Sequence, residues 1–219
     1  MITSKHLQVF LYVAVGIWAL LLVISGTQIG ALPYKPWSTA VGIAVFLAGL
    51  LDKYAWRWRI FRSWLVSTPD IQGTWKGQLI SNYIDQTTNL PIVPRDVYLV
   101  ARQTMSTISV RLVTQESASQ LLGGSIVQEA DDVYEVVGLY RNTPRLLSQA
   151  NSPIHHGALL LNIYGKPPNT LNGCYWTDRG TKGELKFERK ISTLCYDFDS
   201  AVQAFTQHAS NQKTYTQQS

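Results

Sequence analysis

Three short stretches bring aromatic and cationic side chains together: Tyr140 with Arg141, Trp176 with Arg179, and His155 with His156 ahead of the apolar run GALLLNIYG. A flat base is held by stacking on an aromatic ring, and a phosphate by the fork of a guanidinium. Any one pair is also what an ordinary strand end carries, but three in a small domain point to binding of something flat and anionic. Catalytic machinery is not legible beside them. The chain has no G-x-S-x-G, no H-E-x-x-H and no Walker lysine loop. Its densest acidic cluster, Glu129 to Asp132, reads as a solvated hairpin tip. Cys174 and Cys195 could be imagined with His155 and His156 as a zinc site, but they lack C-x-x-C or H-x-x-x-H spacing. They are expected to be buried structural thiols, with no metal, no cofactor and no enzymatic activity.

The elements that must position these residues read as short strands. After STPDIQGTW the sequence breaks into apolar stretches punctuated by Gly, Pro, Asn and Asp, giving eight predicted strands. They are 73–81, 96–103, 107–114, 119–128, 133–141, 157–164, 170–178 and 183–190. The last alternates most cleanly, with Leu185 and Phe187 on one face and Glu184, Lys186 and Glu188 on the other. An even strand count and hairpin-length connections predict an antiparallel up-and-down barrel, lipocalin- or streptavidin-like, with the Trp of GTWKG packed across one end. The longest connections, 82–94 and 143–156, are where function is expected. A short helix is expected in DFDSAVQAFTQHA, followed by a frayed polar tail within 197–219.

Ahead of the barrel, no charged residue falls between Leu7 and Tyr34 or between Pro36 and Leu51. Runs of this kind predict two transmembrane helices, about 7–31 and 36–54, in a hairpin segment 1–66. The first run is too long for a signal peptide and lacks an A-x-A site. Trp37 at one end and Tyr54, Trp56, Trp58 and Trp64 at the other form the expected interfacial belts. Lys5, Lys53, Arg57, Arg59 and Arg62 flank the spans, against Lys35 alone in the loop, so both termini and the barrel (67–196) are expected in the cytoplasm. The net charge of +5 is largely juxtamembrane, since residues 70–195 carry 12 basic against 11 acidic side chains. Anionic lipid is the expected partner of that stretch, and long nucleic acid is not. Gly16, Ser25, Gly26, Gly42, Ala44, Ala48 and Gly49 suit close helix packing, within one hairpin or between copies.

PDIQGTWKG, HHGALLLNIYG and LNGCYWTDRGTKGELKF, behind two spans and a basic aromatic stretch, together resemble the two-transmembrane β-barrel effectors of bacterial CBASS anti-phage systems. The resemblance covers nearly the whole chain. It implies a barrel that binds a cyclic dinucleotide made by a partner nucleotidyltransferase, then self-association through the barrel and the transmembrane segments and disruption of the inner membrane. Positions inside the matching motifs add His156, Trp176, Thr177 and Arg179 as ligand contacts. The candidate ligand-binding residues are therefore Arg111, Tyr140, Arg141, His156, Trp176, Thr177 and Arg179. The alternatives are a membrane-tethered carrier of a small apolar ligand, which requires an aliphatic interior with few cations, and a structural protein whose barrel binds another protein. If Asp178 pairs with Gly183 across a four-residue turn, Trp176 lies opposite Leu185 and faces inward, Tyr175 faces outward, and Arg179 sits at the mouth.

Overall fold

A computed structural model describes residues 4–24, 34–62, 65–84, 89–129, 133–150 and 152–216. It divides into two compact units, Met1–Ser67 with Thr104–Ser106, and Thr68–Gln103 with Thr107–Ser219.

The first unit holds α1 (Ser4–Ile24) and α2 (Tyr34–Lys53). The uncharged stretch His6–Ile24 is long and apolar enough to cross a membrane, and is the one described helix that is. The two helices pack through small side chains, with Ala14, Ala40 and Ala44 buried and Trp18 meeting Trp37 edge to face at 5.7 Å. Around that seam Leu7, Leu11, Val23, Phe46 and Leu47 stay exposed. The loop expected around Pro33, with Ser25, Gly26 and Trp64, lies outside the described residues. A 3₁₀ turn at Ala55–Arg57 and the short α3 (Arg59–Arg62) follow. Trp56 is buried there, with the guanidinium carbons of Arg57 and Arg62 4.9 and 5.9 Å from its ring centroid. Trp58 and Tyr54 remain exposed.

The second unit is a closed barrel of eight antiparallel strands in sequential order. They are β1 (Gly73–Ser81), β2 (Arg95–Gln103), β3 (Ile108–Val113), β4 (Ser117–Gln128), β5 (Tyr134–Pro144), β6 (His155–Tyr164), β7 (Thr170–Thr177) and β8 (Lys182–Ile191). All eight expected strands form. The 143–156 connection is shorter than expected, because β5 runs on to Pro144 and β6 starts at His155, leaving Leu146–Ser148 as a 3₁₀ turn. Period-two alternation sends Leu185 and Phe187 of β8 into a core with Trp75, Leu99, Val110, Val136, Leu161 and Leu171. Of the acidic tip at 129–132, residues 130–132 lie outside the described residues.

Trp75 closes one end. Its indole N–H donates to the Ile71 carbonyl at 2.8 Å, and the Gln103 side chain accepts from Ile71 N at 3.0 Å while donating to Pro69 O at 2.9 Å. These bonds draw the entering segment across the barrel base and satisfy its backbone there. Thr74, fully buried, ties the other side shut: its hydroxyl donates to Thr193 O at 2.7 Å and accepts from Cys195 N at 3.0 Å. Cys195 is buried as expected. Cys174 is not, because it alternates onto the exposed outer face of β7.

The C-terminal helix α4 (Phe198–Thr216) is longer than the sequence suggests, and continues through much of the polar tail. Asp197 accepts from Ser200 N at 2.8 Å at its start, and Ala201 and Phe205, one turn apart, pack on the outer side of Tyr98, Val113 and Ile191. Replacing Thr74 by Val leaves the Cys195 amide buried without an acceptor, and is expected to cost about 1–3 kcal/mol in chemical denaturation, with Thr74→Ser recovering most of it.

Candidate ligand cavity

Four connections gather at the end opposite Trp75: the β1–β2 loop, the β3–β4 turn, the β5–β6 loop and the β7–β8 turn. Beneath them opens a cavity of about 630 Å³. Leu79, Val97, Leu112 and Leu185 form its apolar wall, with Tyr140 and Tyr175 beside them. Above lies a polar rim of Arg95, Glu116, Asn142, His155, Thr177 and Arg179.

Both tyrosines stand on glycines of the neighbouring strand. Tyr140 pairs with Gly157, where a Cβ would come within 2.6 Å of the phenolic oxygen. Tyr175 pairs with Gly183, where a Cβ would come within 2.8 Å of the ring. Phe187, deeper in the core, pairs in the same way with Gly77. The rings lie flat across the strands because the opposite residue has no side chain. Burial pushes the Tyr140 phenol well above its ordinary range, and the Tyr175 and Asp178 charges add to the shift. Burial also raises the Tyr175 phenol, opposed by a hydrogen bond with Ser81 and by the Arg95 charge.

At the rim, the Arg95 guanidinium pairs with the Glu116 carboxylate at 2.5 Å. Arg179 donates to Ser152 Oγ at 3.0 Å, a neutral partner, and has no ion pair among the described residues. The His155 Nδ1 lies 3.0 Å from the Pro153 carbonyl and so carries the proton in the neutral ring. Its Nε2 then accepts from the Asn142 amide nitrogen at 3.3 Å, which turns the buried Asn142 Oδ1 away with no partner in the protein.

The β7–β8 connection corrects the expected face assignment. Tyr175 pairs with Gly183 and Trp176 with Lys182, so the turn holds three residues, Asp178, Arg179 and Gly180, rather than four. Thr177 N donates to Thr181 O at 2.9 Å across it, and Gly180 supplies the positive φ of 76° that such a loop uses. An odd change of register turns every side chain to the other face. Tyr175 therefore lines the cavity, and Trp176 stands on the outer wall.

Of the seven candidate contacts, Tyr140, Thr177 and Arg179 line the cavity. The other four do not, each for the same reason of alternation. Arg111 falls between the inward Val110 and Leu112, and donates outside the barrel to the Tyr196 carbonyl at 3.3 Å. Arg141 and His156 are outer-face partners across β5 and β6, and Trp176 lies one row further along. Asp178, distant from His156 in sequence, accepts from its backbone N at 3.0 Å and lies 3.7 Å from its ring nitrogen. The cavity residues outside that set of seven are Arg95, Glu116 and Asn142, which the sequence did not single out, His155, which it named only beside His156, and Tyr175, which it assigned to the outer face. Alternation counted back from the inward Val97 along β2 finds Arg95. The pairing of Tyr175 needed the turn length first. Among the described residues no group of three His, Cys, Asp or Glu stands close enough to hold a metal ion.

Residues 66–189 match the family described as Cap15, cyclic dinucleotide receptor domain. Over 174 residues the chain is 27% identical to the CD-NTase-associated protein 15 of Staphylococcus schleiferi, covering 78% of this chain and 87% of that protein.

A phenol whose folded-state pKa is raised stabilises the fold fully below the unfolded value, and that stability is lost as pH climbs from about 10 toward the folded value. Tyrosine absorbance in alkaline titration should therefore show Tyr140 ionising late, and Tyr140→Phe should remove that late group and flatten the loss of stability above about pH 10.

Proposed function

The chain belongs to the Cap15 cyclic dinucleotide receptor family, and on that premise we propose that a cyclic dinucleotide fills the cavity at the open end of the barrel as the activating ligand. The observation that carries the reading is the pairing of glycine-seated tyrosines with rim arginines around one 630 Å³ space. Small-ligand sites of about 300–1,000 Å³ are the usual range. A cyclic dinucleotide brings two stackable bases and two phosphates. Tyr175 and Tyr140 give the bases an aromatic wall, and Arg179 and Arg95 reach toward the phosphates. Arg95 must then share or leave Glu116, so part of the binding energy goes into displacing that carboxylate. Thr177, His155 and Asn142 complete the polar contacts. A carrier of an apolar ligand fits less well: the aliphatic wall suits it, but Arg95 and Arg179 bring two cations to a cavity where it calls for few.

The relative's name links it to a CD-NTase, and we extend that link to this chain: a cyclic-nucleotide synthase supplies the ligand during phage infection. The chain acts as receptor and effector rather than as an enzyme. In this reading α1 and α2 cross the inner membrane as a hairpin, with both termini and the barrel cytoplasmic. The exposed aliphatic surface of both helices and the flanking cations support it. Ligand binding drives self-association, and the clustered hairpins disrupt the membrane and halt the infected cell. Within one hairpin the seam uses Ala14, Ala40 and Ala44, whereas a side chain at Gly16, Gly42 or Gly49 would meet nothing within 4 Å. Those glycines are free to serve contacts between copies.

Titration of the full-length chain in detergent against a panel of cyclic dinucleotides should identify at least one ligand, and stabilise the fold by about 2.7 kcal/mol at a hundredfold excess over Kd. If no member of the panel shifts the unfolding transition, the reading is wrong. Arg179→Ala is expected to weaken binding by about tenfold or more, while Arg111→Ala on the outer face leaves it unchanged. Gly42→Arg should abolish dye release from liposomes and keep ligand affinity intact.

A further inference from the structure

α4 packs over the outward residues of β2, β3 and the end of β8, burying Tyr98, Val113 and Ile191. Across β4 to β7 the outward residues form an apolar stripe that, among the described residues of the barrel unit, nothing covers. Leu139 pairs with Ala158 and Ala158 with Trp176, and in the next row Val137 pairs with Leu160 and Leu160 with Cys174. Leu122, set outward where the β4 register shifts, adjoins them. Leu122, Leu139 and Trp176 are 58%, 64% and 46% exposed. Contiguous apolar surface of this kind with a polar border marks an interaction site.

The border identifies the occupant. Along β5 the outward residues run Glu135, Val137, Leu139, Arg141, which places an anion at one end of the stripe and a cation at the other. Among the described residues neither has an ion-pair partner. The nearby opposite charges are already engaged: Asp178 lies 3.7 Å from the ring nitrogen of His156, and Lys186, in the row of Glu135, pairs with Glu188 at 2.6 Å. Burial and the Glu129 charge push the Glu135 carboxyl up, as befits an acid short of a counter-charge. Glu135 and Arg141 stand three residues to either side of Gly138. A two-fold axis through that point lays one stripe antiparallel on its copy, and sets each Arg141 over the other copy's Glu135 about 20 Å from its own.

We infer that the β4–β7 wall is a two-fold contact surface for a second copy of this chain. It rests on the barrel surface and not on the identity of the ligand. Sedimentation of the full-length chain in detergent, alone and with each nucleotide of the panel, tests it through charge reversal. Glu135→Arg or Arg141→Glu alone should weaken association tenfold or more, and the two together in one chain should restore it. A wild type that stays monomeric in every condition, single reversals without effect, or a double reversal as weak as the singles, overturns the contact. As a check that leaves the charges in place, Leu139→Cys in a Cys174→Ser background should give a covalent dimer in membranes with a bis-maleimide spanning about 10–15 Å, since the two-fold holds the paired residues beyond disulfide reach, and no cross-link there also counts against it. Dimers that form by these criteria while no panel nucleotide binds would leave the contact standing and sink the ligand reading; ligand binding without charge rescue does the reverse.

Discussion

A Cβ on residue 157 would lie 2.6 Å from the Tyr140 hydroxyl, and one on residue 183 would lie 2.8 Å from the Tyr175 ring. Most of the open end follows from that steric fact. An eight-stranded barrel has an interior just wide enough for side chains or for one small ligand. By lying across glycines, two large rings occupy wall rather than lumen, and the space they leave is the cavity. The same arrangement below, Phe187 over Gly77, does the opposite job and fills the core so that the closed end packs. One local device thus serves both halves of the barrel, and its effect depends on whether Trp75 and the aliphatics or open solvent lie beyond the ring.

The architecture was legible because period-two alternation is strong where one face is buried. β8, with Leu185 and Phe187 inward between charged neighbours, declared its face without help. The site was only partly legible, because a binding side chain must be assigned to a face before it can be assigned a role. Tyr175 and Trp176 are adjacent and similar, so nothing in their own chemistry says which is inside. That information resides in the length of the Asp178–Gly180 turn, and one residue of error there exchanges them. Arg111, Arg141 and His156 have the chemistry of ligand contacts, and each stands one position away from a residue that faces the interior. Asn142 was overlooked for a different reason: an amide acquires meaning only when a neighbour such as His155 fixes which of its ends is spent.

The helical parts show the converse. Ala201 and Phe205 anchor α4 to the barrel at helical spacing, and the polar residues beyond them carry the helix on although their composition reads as a tail. In the N-terminal unit small residues do the packing and large ones face outward, the inverse of a water-soluble helical pair. Alanine at the seam brings two backbones close, as small residues do wherever helices meet at short range.

Closure of the sheet has a bearing on safety. A β-rich protein concentrated at a surface is at risk of runaway polymerisation, because an open edge offers a row of unpaired amides and carbonyls to any passing strand. Here every strand has two neighbours, so most of the sheet is withheld from strand addition. The register leaves an exception along β4, where Ala118–Gln120 pair with β3 but Gly123–Gln128 pair, among the described residues, with β5 alone. Addition of a foreign strand is thereby confined to short stretches such as this one, and elsewhere copies of the barrel meet through side chains, whose contacts saturate and dissociate.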